Sequence, residues 1–62
     1  MQASELEIGD EVRVGFTYSL CTVTDIDYSY GRVSYMLSYY ENGMMQNTAI
    51  SPEKCVKLVK RK

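Results

Sequence analysis

The side chains best suited to act as nucleophiles are two thiols, Cys21 and Cys55, and no histidine accompanies them. A thiol attacks as its thiolate, and a neighbouring histidine is the usual base that makes one. Two cysteines without a CxxC pair also fall short of a structural zinc set. Asp25 and Asp27 are two apart, so an extended chain puts both carboxylates on one face. Such a pair can do acid–base work or stand as a solvated acidic edge. These residues define no nucleophile–base constellation, so the chain is not expected to be an enzyme. No catalytic residue, metal or cofactor is expected.

Chemistry of binding is better represented. Six tyrosines and one phenylalanine are many for 62 residues. Phe16, Tyr35 and Tyr39 fall on expected core faces. Tyr18, Tyr28 and Tyr30 fall in connections, where binding residues concentrate. Tyr18 follows the first strand; Tyr28 and Tyr30 follow the second and are expected at the same end. Together they either cover the mouth of the fold, stack a base or enclose a cation. A second group, Met36, Tyr40, Met44 and Met45, forms an apolar surface if the opposite face of its strands is the core. Methionine-rich surfaces repack easily and suit partner binding. A third group is basic: Lys54, Lys57, Lys60, Arg61 and Lys62. Of these, Lys60 and Arg61 are the candidate phosphate contacts; the alternative is a solubilising tail.

These residues must be positioned by strands, because helical periodicity is nearly absent and the apolar positions alternate. The alternating segments are rich in Val, Thr and Tyr, which fit a pleated surface. The first strand is Glu11–Phe16, with Val12, Val14 and Phe16 on one face. The second is Leu20–Asp27; Ile26 is out of register with Cys21 and Val23, which predicts a β-bulge near Thr24-Asp25. The third, Arg32–Tyr40, places Val33, Tyr35, Leu37 and Tyr39 on one face. Asn42-Gly43 then predicts a two-residue type I′ hairpin. Its register pairs Glu41 with Met44, Tyr39 with Gln46, Leu37 with Thr48 and Tyr35 with Ile50. On the other face Tyr40 pairs with Met45 and Met36 with Ala49. Ser51-Pro52-Glu53-Lys54 reads as one short 3-10 turn, capped by Ser51. A last strand, Cys55–Val59, closes the chain.

Composition sets the bounds. Apolar residues make up 45% of the chain, enough for a packed core. A domain this small buries roughly 60% of its unfolded surface, and its core supplies only about 3–5 kcal/mol. Residues 1–62 are therefore read as a single domain, frayed at 1–5 and 60–62, for which homo-oligomerisation is a natural staple. Net charge is −1, without the basic excess of a general nucleic-acid binder. The charge is asymmetric: residues 1–41 hold seven acids and two bases, and residues 42–62 hold one acid and five bases. The N-terminus has neither the basic start nor the apolar run of a signal peptide. No stretch reaches the ~20 apolar residues of a membrane helix. A cytoplasmic protein with reduced thiols and no membrane contact is expected.

The order of these segments resembles an SH3-like small barrel of the Tudor/KOW type. The residues that carry the likeness are Ile8-Gly9-Asp10-Glu11-Val12-Arg13-Val14, Val23–Ile26, Val33–Tyr40, Asn42-Gly43 and Ile50–Val59. They span about fifty residues, but the motifs are generic and speak to fold rather than function. The resemblance implies an all-β, five-stranded barrel with a short 3-10 turn before the last strand. Tudor domains bind methylated lysine or arginine in an aromatic cage, and KOW-type domains contact RNA or protein. Plasmid type II dihydrofolate reductases are more distantly similar. Their Val-Gln-Ile-Tyr-Pro corresponds to Thr48-Ala49-Ile50-Ser51-Pro52, where only Ile50 and Pro52 match, so their active-site motif is missing. The expected role is a small stand-alone module for protein–protein interaction or assembly, with a protein partner or a second copy of itself. The alternative is binding of RNA or single-stranded DNA through the loop tyrosines and the basic tail.

Overall fold

Asn42 (φ 53°) and Gly43 (φ 76°) both occupy the left-handed region, as a two-residue type I′ turn requires. In the computed structural model, which describes all residues from Met1 to Lys62, this turn joins β3 (Ser34–Glu41) to β4 (Met44–Ile50). The expected register holds at every pair from Glu41↔Met44 to Tyr35↔Ile50. A Cβ added at Gly43 would meet no heavy atom within 4 Å. The cost of Gly43→Ala is therefore backbone strain alone, about 1–2 kcal/mol. Gly15 also has open space, but its φ is not positive. Gly15→Ala should leave the urea midpoint unchanged or raise it slightly, whereas Gly43→Ala should lower it.

β2 (Cys21–Asp27) runs antiparallel to β3. Val23 pairs with Leu37 and Asp25 with Met36, so Thr24 is the extra residue of a bulge. The bulge brings Ile26 round to pack against the core, as its offset in the sequence predicts. β1 (Glu11–Arg13) pairs with β2 on one side and with β5 (Lys57–Lys60) on the other. The result is one five-stranded antiparallel sheet of order β4-β3-β2-β1-β5, an all-β, barrel-like fold. No helix is long and apolar enough to cross a membrane.

The core sits on one face of the curled sheet. Val12, Cys21, Val23 and Leu37 are 0–1% exposed, and Tyr35, Ile50 and Val56 surround them. The sheet alone does not close this core. Ala3, which opens a 3-10 turn at Ala3–Glu5, and Leu6, which follows it, supply the remaining wall.

Several expectations need correction. Residues 1–5 are not frayed: Met1 and Val56 exchange both backbone hydrogen bonds, and Ala3 and Ser4 N–H donate to Lys54 and Pro52 C=O. The first strand stops at Arg13 because Val14–Thr17 folds into a turn, closed by Thr17 N–H on Val14 C=O. That turn swings Phe16 out of the core to 49% exposure. There it packs edge-on against Tyr39, ring centres 5.6 Å apart. Ser51–Lys54 closes a single hydrogen-bonded turn, Lys54 N–H to Ser51 C=O, without forming a 3-10 helix. The 3-10 segments lie instead at Ala3–Glu5 and Ser29–Gly31. The last strand begins at Lys57, and Cys55 only bridges to Gln2.

Candidate functional site

The outward side chains of the β3–β4 hairpin follow from its register. With Tyr35, Leu37 and Ile50 facing the core, Met36, Ser38 and Tyr40 of β3 and Met45, Asn47 and Ala49 of β4 face away. Tyr40 lies directly across from Met45, and Met36 across from Ala49. Tyr40 is 64% and Met45 49% exposed; Met44, next along at the turn, is 65% exposed but points to the other face. Met36 is half-buried. Neither β4 nor the outward face of β3 carries a charge before Glu41. The molecule measures 34 × 21 × 20 Å, so it is elongated, and this uncharged face occupies its longest hairpin.

Tyr18 joins that site. The β1–β2 connection is tied to the hairpin by Thr17 Oγ1 on Glu41 Oε2 at 3.2 Å and by the Ser19 hydroxyl on Tyr40 C=O. Arg13 Nη1 donates to Tyr18 C=O at 2.7 Å, holding the loop while its ring stays 99% exposed. Tyr40 and Met45 thus share one face at this end of the sheet, with the Tyr18 loop hydrogen-bonded beside them; Met44, paired with Glu41, points to the opposite face.

Tyr28 and Tyr30 are not part of it. Their connection leaves the other end of β2, whose seven residues span about 20 Å. The expected three-tyrosine mouth therefore does not form. Tyr28 is 72% and Tyr30 100% exposed. Tyr30 has φ 55°, unusual for a bulky side chain. Arg32 and Tyr30 border a shallow open cleft with Asp27, Ser29 and Ser34. A second cleft, about 450 Å³, runs from Arg32 to Ser51–Glu53, with Arg32 and Glu53 as its only charges. The first cleft has Asp27, Tyr30 and Arg32 as its ionisable groups, the second Arg32 and Glu53. Asp25 and Asp27 are exposed and turned to local donors, Ile26 N–H and the Ser29 hydroxyl. No three His, Cys, Asp or Glu side chains lie close enough to hold a metal ion.

The tail is not free. Lys60 ends β5 and is exposed, but Arg61 Nη1 pairs with Glu7 at 3.0 Å and with Asp10 at 3.5 Å. Lys62 N–H donates to Asp10 Oδ1 at 3.0 Å. The sequence shows Asp10 only as part of the Ile8–Val14 segment that carries the barrel likeness, yet its side chain has no exposed surface. Both cysteines are free thiols, Cys21 buried and Cys55 exposed. Burial pushes the Cys21 thiol above its ordinary range, against a smaller opposing pull from the Arg13 charge, so it is a packed hydrophobe rather than a nucleophile. Comparison with protein-family models, curated proteins and solved structures finds no match to this chain.

Proposed function

We propose that this protein is a small binding module that works through protein–protein contact at the outward face of the β3–β4 hairpin. The observation that carries this reading is the exposed Tyr40–Met45 pair, with half-buried Met36 on the same face and exposed Tyr18 on the loop tied to Tyr40. Tyrosine and methionine are enriched at protein interfaces, and charge is depleted at interface centres. An exposed cross-strand pair contributes only about 0.2–1 kcal/mol to its own sheet. The remaining apolar surface is thus left for a partner to cover. The strand order β4-β3-β2-β1-β5 supports the SH3-like, Tudor/KOW-type barrel as its scaffold. The two unpaired thiols agree with a reducing, cytoplasmic setting. Nucleic-acid binding has less behind it: Arg61 is already paired with two carboxylates, and Tyr18 lies far from Tyr28 and Tyr30.

A photo-cross-linking phenylalanine derivative tests this directly, placed at Tyr40 and, as a control, at Glu53. Protein adducts are expected from position 40 and not from position 53. Adducts from neither position, or equally from both, would overturn the reading. Salt-sensitive binding of a mixed oligonucleotide, lost when Lys60, Arg61 and Lys62 are neutralised, would replace it with the nucleic-acid alternative.

A further inference from the structure

The two edges of the sheet are built differently. β5 is four residues long, carries Lys57 and Lys60, and has a register shift against β1. Short length, lysines and irregularity are the usual devices that keep an edge from pairing with another chain. β4 has none of them. It runs seven residues, Met44–Ile50, with no charge, no proline and an unbroken register against β3.

Hydrogen-bond polarity identifies which β4 groups are open. The Tyr40 and Met36 carbonyls accept bonds from Ser19 and Thr24, on the β2 side. Residues 36, 38 and 40 therefore bond towards β2, and residues 35, 37, 39 and 41 bond towards β4. In an antiparallel ladder their partners Met44, Gln46, Thr48 and Ile50 turn inward, and Met45, Asn47 and Ala49 turn outward. These three make no backbone hydrogen bond outside the ladders and are exposed.

We infer that β4 pairs antiparallel with β4 of a second copy of this chain, across a two-fold axis at Asn47, to give one continuous ten-stranded sheet. This goes beyond the hairpin-face reading: the contact is the β4 edge, and the partner and the register are named. Centred there, Asn47 faces Asn47 of the other copy, and Met45 faces its Ala49. Each outward N–H and C=O of Met45, Asn47 and Ala49 then has a partner, six hydrogen bonds in all. The side chains match as well. Within one copy Tyr40 neighbours Met45, and Met36 neighbours Ala49. The joined sheet therefore carries an apolar row, Tyr40–Met45 running on to Ala49–Met36 of the other copy, and the two-fold repeats it. Between these rows lies a polar one, Thr22–Ser38–Asn47 on each side of the axis. No like charges face each other along the strand. Because the opposite edge is guarded by lysines, pairing stops at the closed dimer.

Two measurements test this. Sedimentation should give twice the 7.1 kDa chain mass at high concentration, and Asn47→Lys, which sets like charges together at the axis, should weaken association at least tenfold. In the unaltered chain, deuterium exchange should report slow amides at Met45, Asn47 and Ala49 that become fast on dilution. The amides of Gln46 and Thr48, bonded inside the hairpin, should stay slow throughout and show that the monomer remains folded. A monomer at all concentrations with fast exchange at Met45, Asn47 and Ala49 would overturn the inference, as would a dimer indifferent to Asn47→Lys. If adducts to other proteins still form at position 40, such a result removes the dimer and leaves the binding reading intact.

Discussion

Leu37→Ala should leave the chain unfolded at 25 °C. Leu37 has no exposed surface and lies mid-way along β3, paired with Val23 of β2 and Thr48 of β4. It is the largest of the fully buried side chains. Truncating such a leucine costs about 2–5 kcal/mol, from lost transfer energy and the cavity left behind. A core of this size supplies only about 3–5 kcal/mol. The loss is therefore comparable to the whole stability, which few single substitutions achieve. Leu37→Met, which nearly conserves volume, should cost under about 1.5 kcal/mol and keep the fold. Far-UV circular dichroism and amide dispersion report both. A folded Leu37→Ala chain with a normal urea midpoint would place the stability elsewhere than in this core. Since association stabilises a folded chain by mass action, repeating the melt at several concentrations would then show whether a dimer supplies it.

Part of this architecture was legible because local chemistry dictates it. Asn42-Gly43 permits one short hairpin geometry, so every cross-strand pair of β3 and β4 follows, including Tyr40–Met45. The offset of Ile26 required an extra residue in β2, and Thr24 is that residue. Other features were written in signals that alternation outweighed. Gly15 interrupts Val14 and Phe16 and marks the turn that ends β1. Ala3 and Leu6 are three apart, the spacing of a 3-10 turn, in a stretch read only as a terminus. The two ends of β2 were also knowable, since successive connections of an antiparallel meander alternate ends. Tyr18 and Tyr28 could not share one. What no local pattern encodes is the meeting of Asp10 with Lys62, 52 residues apart.

That meeting carries the second large effect: acid should loosen this protein through Asp10, and Asp10→Asn should abolish that sensitivity while destabilising the neutral-pH fold. The Asp10 carboxylate accepts Glu7 N–H at 2.9 Å through one oxygen and Lys62 N–H at 3.0 Å through the other. Its backbone C=O also takes Val23 N–H, so one residue joins the N-terminal loop, β2 and the chain's last residue. The Glu7 N–H, then the Lys62 N–H, hold its pKa below the ordinary 3.8; burial opposes them, and the Arg61 and Lys62 charges assist. A carboxylate with a depressed folded pKa contributes stability that is fully present well above 3.8 and is lost as pH falls through the lower, folded value. The asparagine amide presents an NH2 to one of the two N–H donors, leaving a part-buried donor unpaired at every pH. The neutral-pH loss should exceed that of Gly43→Ala. Deleting Arg61 and Lys62 removes two of the partners, so its effect should shrink in the Asp10→Asn background, a coupling that a double-mutant cycle measures. Strictly additive losses, or an acid midpoint unchanged by Asp10→Asn, would place the acid sensitivity on the exposed carboxylates and leave Asp10 as packing alone.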